Sequence, residues 1–333
     1  TYSSSTFAAV SVPDSPGVDP TPPGPAVPSM NSAASKVWRA VPRSIHPKEE
    51  PPPPPTPSAA VAPVPASPPT PPERPDPPPV ETKAKRPLMS NEGVRTWVPR
   101  GFAVVHSASP GTGLSQGCPT VGGKNESLAP KAVIDWLCGR AKGYTTPDGD
   151  KEVKATWCSG KVGMTGTSYN GTLPLAAATT GVDGLECIIP IAPNTSYYHY
   201  YRSNGLVRSP GGYPGEDVDV LFDFIFSGYP DVRDYCIANV RVAEMNGTQD
   251  RVTGDYNDFW AGRDYLNHID GVKAATLMSH GFNDWNVMPE HSYRISEALQ
   301  ARGVPVQIYY HQQGHGGQPP LELMNRWFTR YVY

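Results

Sequence analysis

Gly166-Thr167-Ser168-Tyr169-Asn170-Gly171 is the stretch on which the fold turns. Ahead of it, Lys161-Val162-Gly163-Met164-Thr165 is a short apolar run that predicts a strand; behind it, Leu173 to Thr180 has the small-residue content of a packed helix. A serine hydroxyl is a weak nucleophile. A serine that reacts must therefore sit on a tight strand-to-helix bend that exposes its oxygen, with glycine wherever a side chain would collide. Gly166 and Gly171 meet that need, although the second glycine comes one place later than in the common five-residue pattern. Taken alone, the motif is also compatible with a glycine turn holding an incidental serine.

Outward from this bend the chain alternates. Gly101-Phe102-Ala103-Val104-Val105-His106 predicts a buried strand, closed by turn chemistry at Pro110-Gly111-Thr112-Gly113. Ala129 to Ala141 spaces Ala132, Val133, Trp136 and Leu137 on one helical face, with Pro130 suited to the first turn. Leu185 to Ala192, Ala274 to Ser279 and Val306 to Tyr310 predict further strands, and Glu290 to Arg302 and Leu321 to Tyr331 further helices. Such alternation predicts an α/β fold with a mostly parallel sheet. Between about residues 200 and 270 it breaks: Val220, Leu221, Phe224 and Ile225, then Tyr235, Ile237 and Val240, keep helical spacing among acidic and aromatic residues. The sheet frames this insertion on both sides, as expected of a helical cap over an active site.

Composition divides the 333 residues sharply. Of the 41 prolines, 26 precede Leu88, where the only aromatic residues are Tyr2, Phe7 and Trp38. Proline removes a backbone donor and fixes φ, and so few large apolar residues cannot offset the entropy of ordering. Residues 1–95 are therefore expected to be a disordered Pro-rich segment, extended in the polyproline manner, and 96–333 the folded domain. A proline-rich ligand for an aromatic groove is a further use of such a segment.

A net charge of -3 and a pI near 6.2 give no long-range attraction for nucleic acid or an anionic membrane, so neither is expected as a partner. No apolar run approaches the roughly twenty residues of a membrane-spanning helix, and the N-terminal region lacks the basic start and apolar stretch of a signal peptide. A soluble protein is expected; because the numbering starts at Thr1 rather than Met, a secretion signal removed beforehand fits as well, which favours secretion slightly. Cys118, Cys138, Cys158, Cys187 and Cys236 lack metal-ligand spacing and suggest no dense disulfide framework. No metal or cofactor is expected, and the odd count leaves at least one free thiol. Oligomeric state is not legible.

If Ser168 is the nucleophile, an acid and a histidine should follow in that order on loops after later strands. Asp284 lies in Ser279-His280-Gly281-Phe282-Asn283-Asp284-Trp285-Asn286-Val287, and His315 in Gln312-Gln313-Gly314-His315-Gly316-Gly317. Each would ordinarily be a turn former or a solvated side chain; their shared order and placement at strand ends raises them together. His280 precedes the acid and His311 adjoins a strand, while Asp264 and Asp270 belong to the insertion, so these rivals rank lower. In the expected mechanism His315 takes the Ser168 proton, Asp284 holds the imidazole tautomer, and the backbone N–H of Tyr169 is one oxyanion donor.

Together these segments resemble the Xaa-Pro dipeptidyl-peptidase family of serine peptidases, α/β-hydrolases whose relatives include cocaine-esterase-like acyl hydrolases. The matching pieces are Arg100 to Val105, Pro110 to Gly113 with Ser115-Gln116-Gly117-Cys118, Gly166 to Gly171, His280 to Val287 and Gly314-His315-Gly316. The resemblance spans about residues 98–333 and implies release of N-terminal dipeptides ending in proline from peptide substrates, through an acyl-enzyme. It also implies a pocket for the proline ring and an acidic group for the free amine. Trp260 is a candidate wall of that pocket, against plain core packing, and Glu216 or Asp217 a candidate for the amine, against an acidic helix start.

Two departures stand beside the resemblance. Family members have further strands before the segment at Arg100, and one of their loops is expected to supply a tyrosine hydroxyl to the oxyanion hole; they also carry a β-sandwich domain after the catalytic one. The catalytic domain is thus expected to be incomplete at both ends, with an oxyanion donor worth about 3–4 kcal/mol at stake. An out-of-frame or wrongly joined translation of GC-rich DNA would explain the composition before residue 95. The alternatives to a peptidase are an esterase or acylase using the same three residues, and a catalytically inactive fragment.

Overall fold

In the computed structural model the described residues are 5–11, 91–113, 115–203, 206–211, 216–227 and 230–333. Six strands form the central sheet: β1 (Ser5–Ser11), β2 (Phe102–Ala108), β3 (Val162–Thr167), β4 (Leu185–Ile191), β5 (Ala275–Gly281) and β6 (Val306–His311). Their spatial order is β6-β5-β4-β3-β1-β2. The pairs β3–β4, β4–β5 and β5–β6 are parallel, and β1 runs antiparallel to both β3 and β2. The helices that matter for the site are α1 (Lys124–Leu137), α2 (Tyr169–Thr179), α3 (Val218–Ile225), α4 (Glu290–Ala301) and α5 (Leu321–Tyr331). This is the expected α/β-hydrolase architecture.

Two predictions need correcting. Ser5–Ser11 falls in the segment expected to be disordered, yet it is a strand. It contains no proline, and Thr6, Phe7 and Val10 favour extended backbone. Placed between β3 and β2, it also supplies hydrogen-bond partners to two strands that would otherwise present open edges. Asn91–Trp97 is a helix, so residues 91–95 depart from the expectation as well, and residues 1–4 and 12–90 of the expected disordered segment lie outside the described residues. Pro130, expected in a first helical turn, instead stands in the middle of α1. The reason is Glu126, whose buried carboxylate accepts the N–H groups of Thr120 (2.9 Å), Val121 (2.8 Å) and Gly122 (2.8 Å) and so anchors an extra turn ahead of the proline.

Side chains alternate across the sheet, and the alternation divides the core in two. Cys187, Ile189 and Ile191 of β4 with Ala275 and Leu277 of β5 face Met324, Trp327 and Phe328 of α5, joined by Trp97 and Phe102. Ile188 of β4, Met278 of β5 and Val162 and Met164 of β3 face Ile134 of α1, Leu175 of α2 and Ile295 and Leu299 of α4. The second core continues into the insertion between β4 and β5, which is helical as expected: Tyr197–Tyr201, α3, Arg233–Cys236, a π-helix at Ile237–Asn246, Asp258–Ala261 and a 3-10 segment at Tyr265–Gly271. A disulfide, Cys118–Cys236, ties this cap to the loop after β2. Arg263 adds to the tie, donating from Nε to the Val121 carbonyl (3.1 Å) and from Nη2 to that of Thr120 (3.1 Å). Cys138, Cys158 and Cys187 are free thiols.

His291, at the start of α4, joins that helix to the loop after β4: its Nδ1 accepts the Thr195 N–H at 3.2 Å. Burial, reinforced by neighbouring His280 and arginine charges, pushes its pKa from 6.5 down to about 3. Between those values the unfolded chain binds a proton that the folded chain refuses, so stability falls as pH drops through this window, by on the order of 4 kcal/mol. Denaturant unfolding from pH 7 to 4 should show this slope, and His291→Asn should flatten it.

Candidate active site

The bend at Ser168 is set by backbone geometry. Thr167, the last residue of β3, pairs with Ile191 of β4, and the Ser168 N–H donates to the Ile191 carbonyl at 2.8 Å. Ser168 then takes φ 63° and ψ -129°, a left-handed conformation that costs a non-glycine residue roughly 1–3 kcal/mol. Its carbonyl caps α2 by accepting from Gly171 N (2.8 Å) and Thr172 N (2.9 Å). A Cβ at Gly166 would lie 2.3 Å from the Asn170 carbonyl oxygen, and one at Gly171 would lie 2.6 Å from that of Ile191. Both glycines are therefore required by close backbone approach, which explains the spacing of the motif.

Tyr169 opens α2, so its backbone N–H has no partner within the helix. Its phenol is held by Ser109 Oγ at 3.2 Å and by Glu126. Burial, then the Glu126 charge, pushes that phenol far above its ordinary pKa, so it stays protonated. Glu126 thus links the loop after β2 to the residue next to Ser168. The sequence carried a signal for it, because Glu126 is the third helical residue after Gly123, where a carboxylate can reach back to free N–H groups.

Asp284 and His315 lie at the same end of the sheet. The Asp284 N–H donates to Gly281, the last residue of β5. The His315 loop leaves β6 and folds back over β5: Ser279 Oγ donates to the Gly317 carbonyl at 2.8 Å, and Asn283 N to that of Gln313 at 3.2 Å. His315 Nδ1 is 2.7 Å from Asp284 Oδ2, which leaves Nε2 as its open nitrogen. Asp284 is 1% exposed. Burial alone would raise its pKa, but hydrogen bonds from His280 and His315 and the pull of both rings outweigh it and hold the carboxyl at about 2.

The structure brings Asp284 and His315 into contact and sets Ser168 at the same end of the sheet, past β3, with β4 between it and β5. A Cβ on Gly316 would lie 3.8 Å from Thr167 Cγ2, so the histidine loop packs beside the serine bend. Among the described residues no hydrogen bond yet joins the Ser168 hydroxyl to His315. Of the rival groups, His280 meets Asp284 itself, and the other three are engaged elsewhere. His311 Nε2 meets the Gly316 carbonyl (3.0 Å), Asp264 caps Leu266, and Asp270 pairs with Arg302.

The expected pocket residues sit deeper than a substrate wall requires. Trp260 is 0% exposed; its indole N–H donates to the Gln249 carbonyl (2.8 Å), and its ring packs against Tyr198, Phe259 and the Arg202 guanidinium. It is part of the cap core and offers no surface. Asp217 caps α3 and is gripped by Arg202 at 3.1 and 2.8 Å, the likelier helix-start reading realised. Glu216 is buried and accepts from Gly211 N. Sequence reasoning overlooked Asn286, which bridges cap and acid loop: its N–H donates to Asp284 Oδ1 (3.0 Å), its Oδ1 accepts from Tyr200 Oη (3.1 Å), and its Nδ2 donates to the Pro210 carbonyl (3.1 Å).

A strained serine at a strand-to-helix bend, with an acid and a histidine on loops after later strands of the same sheet, defines the α/β-hydrolase class of serine hydrolases. Within that class, residues 20–317 match the family model for X-Pro dipeptidyl-peptidase (S15 family), and the chain belongs to that family. A Rhodopirellula baltica protein that carries a provisional Xaa-Pro dipeptidyl-peptidase name is 68% identical over 255 residues, 76% of this chain and 41% of that protein. The Xaa-Pro dipeptidyl-peptidase of Streptococcus sanguinis is 45% identical over 235 residues, 69% of this chain and 30% of that enzyme. This chain therefore spans less than half the length of these relatives. Among solved structures, the acetyl xylan esterase from Paenibacillus sp. R4 aligns over 73% of this chain and 70% of its own, at a TM-score of 0.43 and 18% identity, too loosely to argue from. Among the described residues no helix is long and apolar enough to cross a membrane.

Two outcomes test this geometry. Gly171→Ala should force α2 away from the Ile191 carbonyl and lower stability by about 1–3 kcal/mol, read from the denaturant midpoint. Asp284→Asn should cost folding stability above about pH 4 and approach the parent near pH 2, because a carboxyl lowered from 3.8 to about 2 contributes in full above its unfolded pKa and loses that contribution as pH falls toward its folded one. A constant difference between parent and variant across that range would contradict the assigned hydrogen bonds.

Proposed function

We propose that this chain carries the catalytic machinery of a serine exopeptidase that releases Xaa-Pro dipeptides from peptide N-termini. The observation that carries the reading is the 2.7 Å His315–Asp284 bond at the same end of the sheet as a serine held at φ 63°. Ser168 Oγ attacks the carbonyl carbon of the prolyl residue while His315 Nε2 takes its proton. The buried Asp284 carboxylate keeps Nδ1 protonated and stabilises the imidazolium. The Tyr169 N–H, free at the start of α2, faces the developing oxyanion. His315 returns its proton to the leaving amine, and water releases the dipeptide by the same steps in reverse roles. The Ser168–His315 hydrogen bond forms when substrate closes the site, as catalytic hydrogen bonds often do. Specificity for proline rests on family membership and on the names of the relatives, and Trp260 supports the cap from within.

The full chain is assayed with Gly-Pro-p-nitroanilide, with an aryl acetate, and by labelling with a fluorophosphonate. The expected outcome is labelling, a preference for the dipeptide anilide, and loss of both in Ser168→Ala, with kcat/KM falling by on the order of a millionfold. Preference for the ester would make the protein an esterase or acylase. A folded sample that neither labels nor turns over would be an inactive fragment.

A further inference from the structure

His280 lies on β5, four residues before Asp284, fully buried, and the proposed reaction gives it no part. Its Nε2 is 2.8 Å from the Val287 carbonyl oxygen and 3.3 Å from Asp284 Oδ2. A carbonyl can only accept, so Nε2 carries a proton, which it gives to Val287, and the same nitrogen lies 3.3 Å from the carboxylate. On the other side of the ring, Nδ1 is 2.5 Å from Ser292 Oγ on α4. With the ring singly protonated at Nε2, the Ser292 hydroxyl donates to Nδ1. The imidazole is thus locked at both nitrogens by groups outside the catalytic set.

The partition of bonds on Asp284 shows what this lock achieves. Oδ1 accepts from the backbone N–H groups of Asn286 (3.0 Å) and Val287 (2.9 Å). Oδ2 is met by His315 Nδ1 at 2.7 Å and by His280 Nε2 at 3.3 Å. Rotation about the last bond of an aspartate is soft and carries both oxygens together, so it is set jointly by the N–H groups on Oδ1 and the imidazoles on Oδ2. His315 sits on an exposed loop and is itself the group to be oriented; His280 sits on the rigid strand.

We propose that His280 is a positioning residue for the reaction: its Nε2–H, oriented by Ser292 and the Val287 carbonyl, fixes the rotation of the Asp284 carboxylate so that Oδ2 meets His315 in line. The inference rests on the reading of Ser168, Asp284 and His315 given above. A second imidazole on the same oxygen also helps hold Asp284 ionised, since the His280 hydrogen bond is the largest influence opposing burial there. An ordinary core histidine would satisfy its nitrogens equally well on carbonyls and hydroxyls away from the site; this one shares an oxygen with the catalytic base.

Three variants of the full chain, His280→Leu, His280→Gln and Ser292→Ala, separate positioning from packing. Glutamine can place an N–H near the Nε2 position and an acceptor toward Ser292, whereas leucine can do neither. With Gly-Pro-p-nitroanilide, kcat should fall about 10- to 100-fold in His280→Leu with KM within about twofold, recover to within a few-fold of the parent in His280→Gln, and fall less in Ser292→Ala. The low-field proton resonance of the His315–Asp284 bond should broaden or shift in His280→Leu and persist in His280→Gln. Parent-like kcat and resonance in His280→Gln and Ser292→Ala, together with parent-like kcat in folded His280→Leu, would overturn the proposal. So would equal losses in His280→Gln and His280→Leu that track melting temperature. Should His280→Leu fail to fold, a His280→Gln with neither resonance nor turnover also overturns it. The resonance is read without substrate, so the expected resonance pattern in a protein that cleaves no dipeptide anilide would sustain the positioning role and refute the peptidase reading alone.

Discussion

The arrangement depends on one hydrogen bond, from the Ser168 N–H to the Ile191 carbonyl, made while Ser168 holds a left-handed backbone. That conformation is uphill for serine and persists only because β4 grips the bend from one side and α2, started by the Ser168 carbonyl, grips it from the other. The same grip needs the two backbones in near contact, which excludes any side chain at Gly166 and Gly171. The bend after β3, the start of α2 and the two glycines thus follow from a single constraint. A helix begun in this way also leaves the Tyr169 N–H without a partner inside the helix.

The acid side of the site is organised differently. Asp284 is enclosed, and a buried carboxylate is tolerable only if its lone pairs are met. Backbone N–H groups of Asn286 and Val287 meet one oxygen and two imidazoles the other, so the charge stays on the carboxylate despite burial. Through Asn286 this loop is bonded to Tyr200 and Pro210, and through Arg263 and the Cys118–Cys236 disulfide the cap is bonded to the loop after β2. Cap and sheet are therefore joined at the acid loop and at the loop that holds the Tyr169 phenol, the two places where a shift would be felt by the proposed reaction.

Strands and helices of the parallel sheet were legible because their apolar runs are short, periodic and bounded by glycine or proline; the helix Leu321–Tyr331 matches its expected range. Ser168, Asp284 and His315 could be picked out as candidates because each sits at a bend after a strand, and bends have their own residue chemistry. Ser5–Ser11 was not, because seven ordinary residues beside a long proline-rich stretch carry no periodicity strong enough to outweigh their surroundings. Asn286 was overlooked for a different reason, as was the contact of His280 with Asp284, since His280 was weighed only as a rival to His315. A buried polar residue is defined by partners distant in sequence, and a lone His or Asn has no pattern of its own; Glu126 carried the mark of a third helical residue and went unread. Trp260 shows the converse error, since an aromatic beside acidic residues suits a pocket wall and a cap core equally until its exposure is known.

The chain alone therefore determined which residues could react, their order, and the class of sheet that would carry them, because nucleophile bends and strand periodicity are local properties of sequence. Only the tertiary structure decided which oxygen of Asp284 meets His315, that His280 shares it, that Cys118 pairs with Cys236, and that Trp260 turns inward. Those outcomes depend on distances between segments far apart in the chain, and such distances are set by how helices pack on a twisted sheet rather than by any residue's neighbours in sequence.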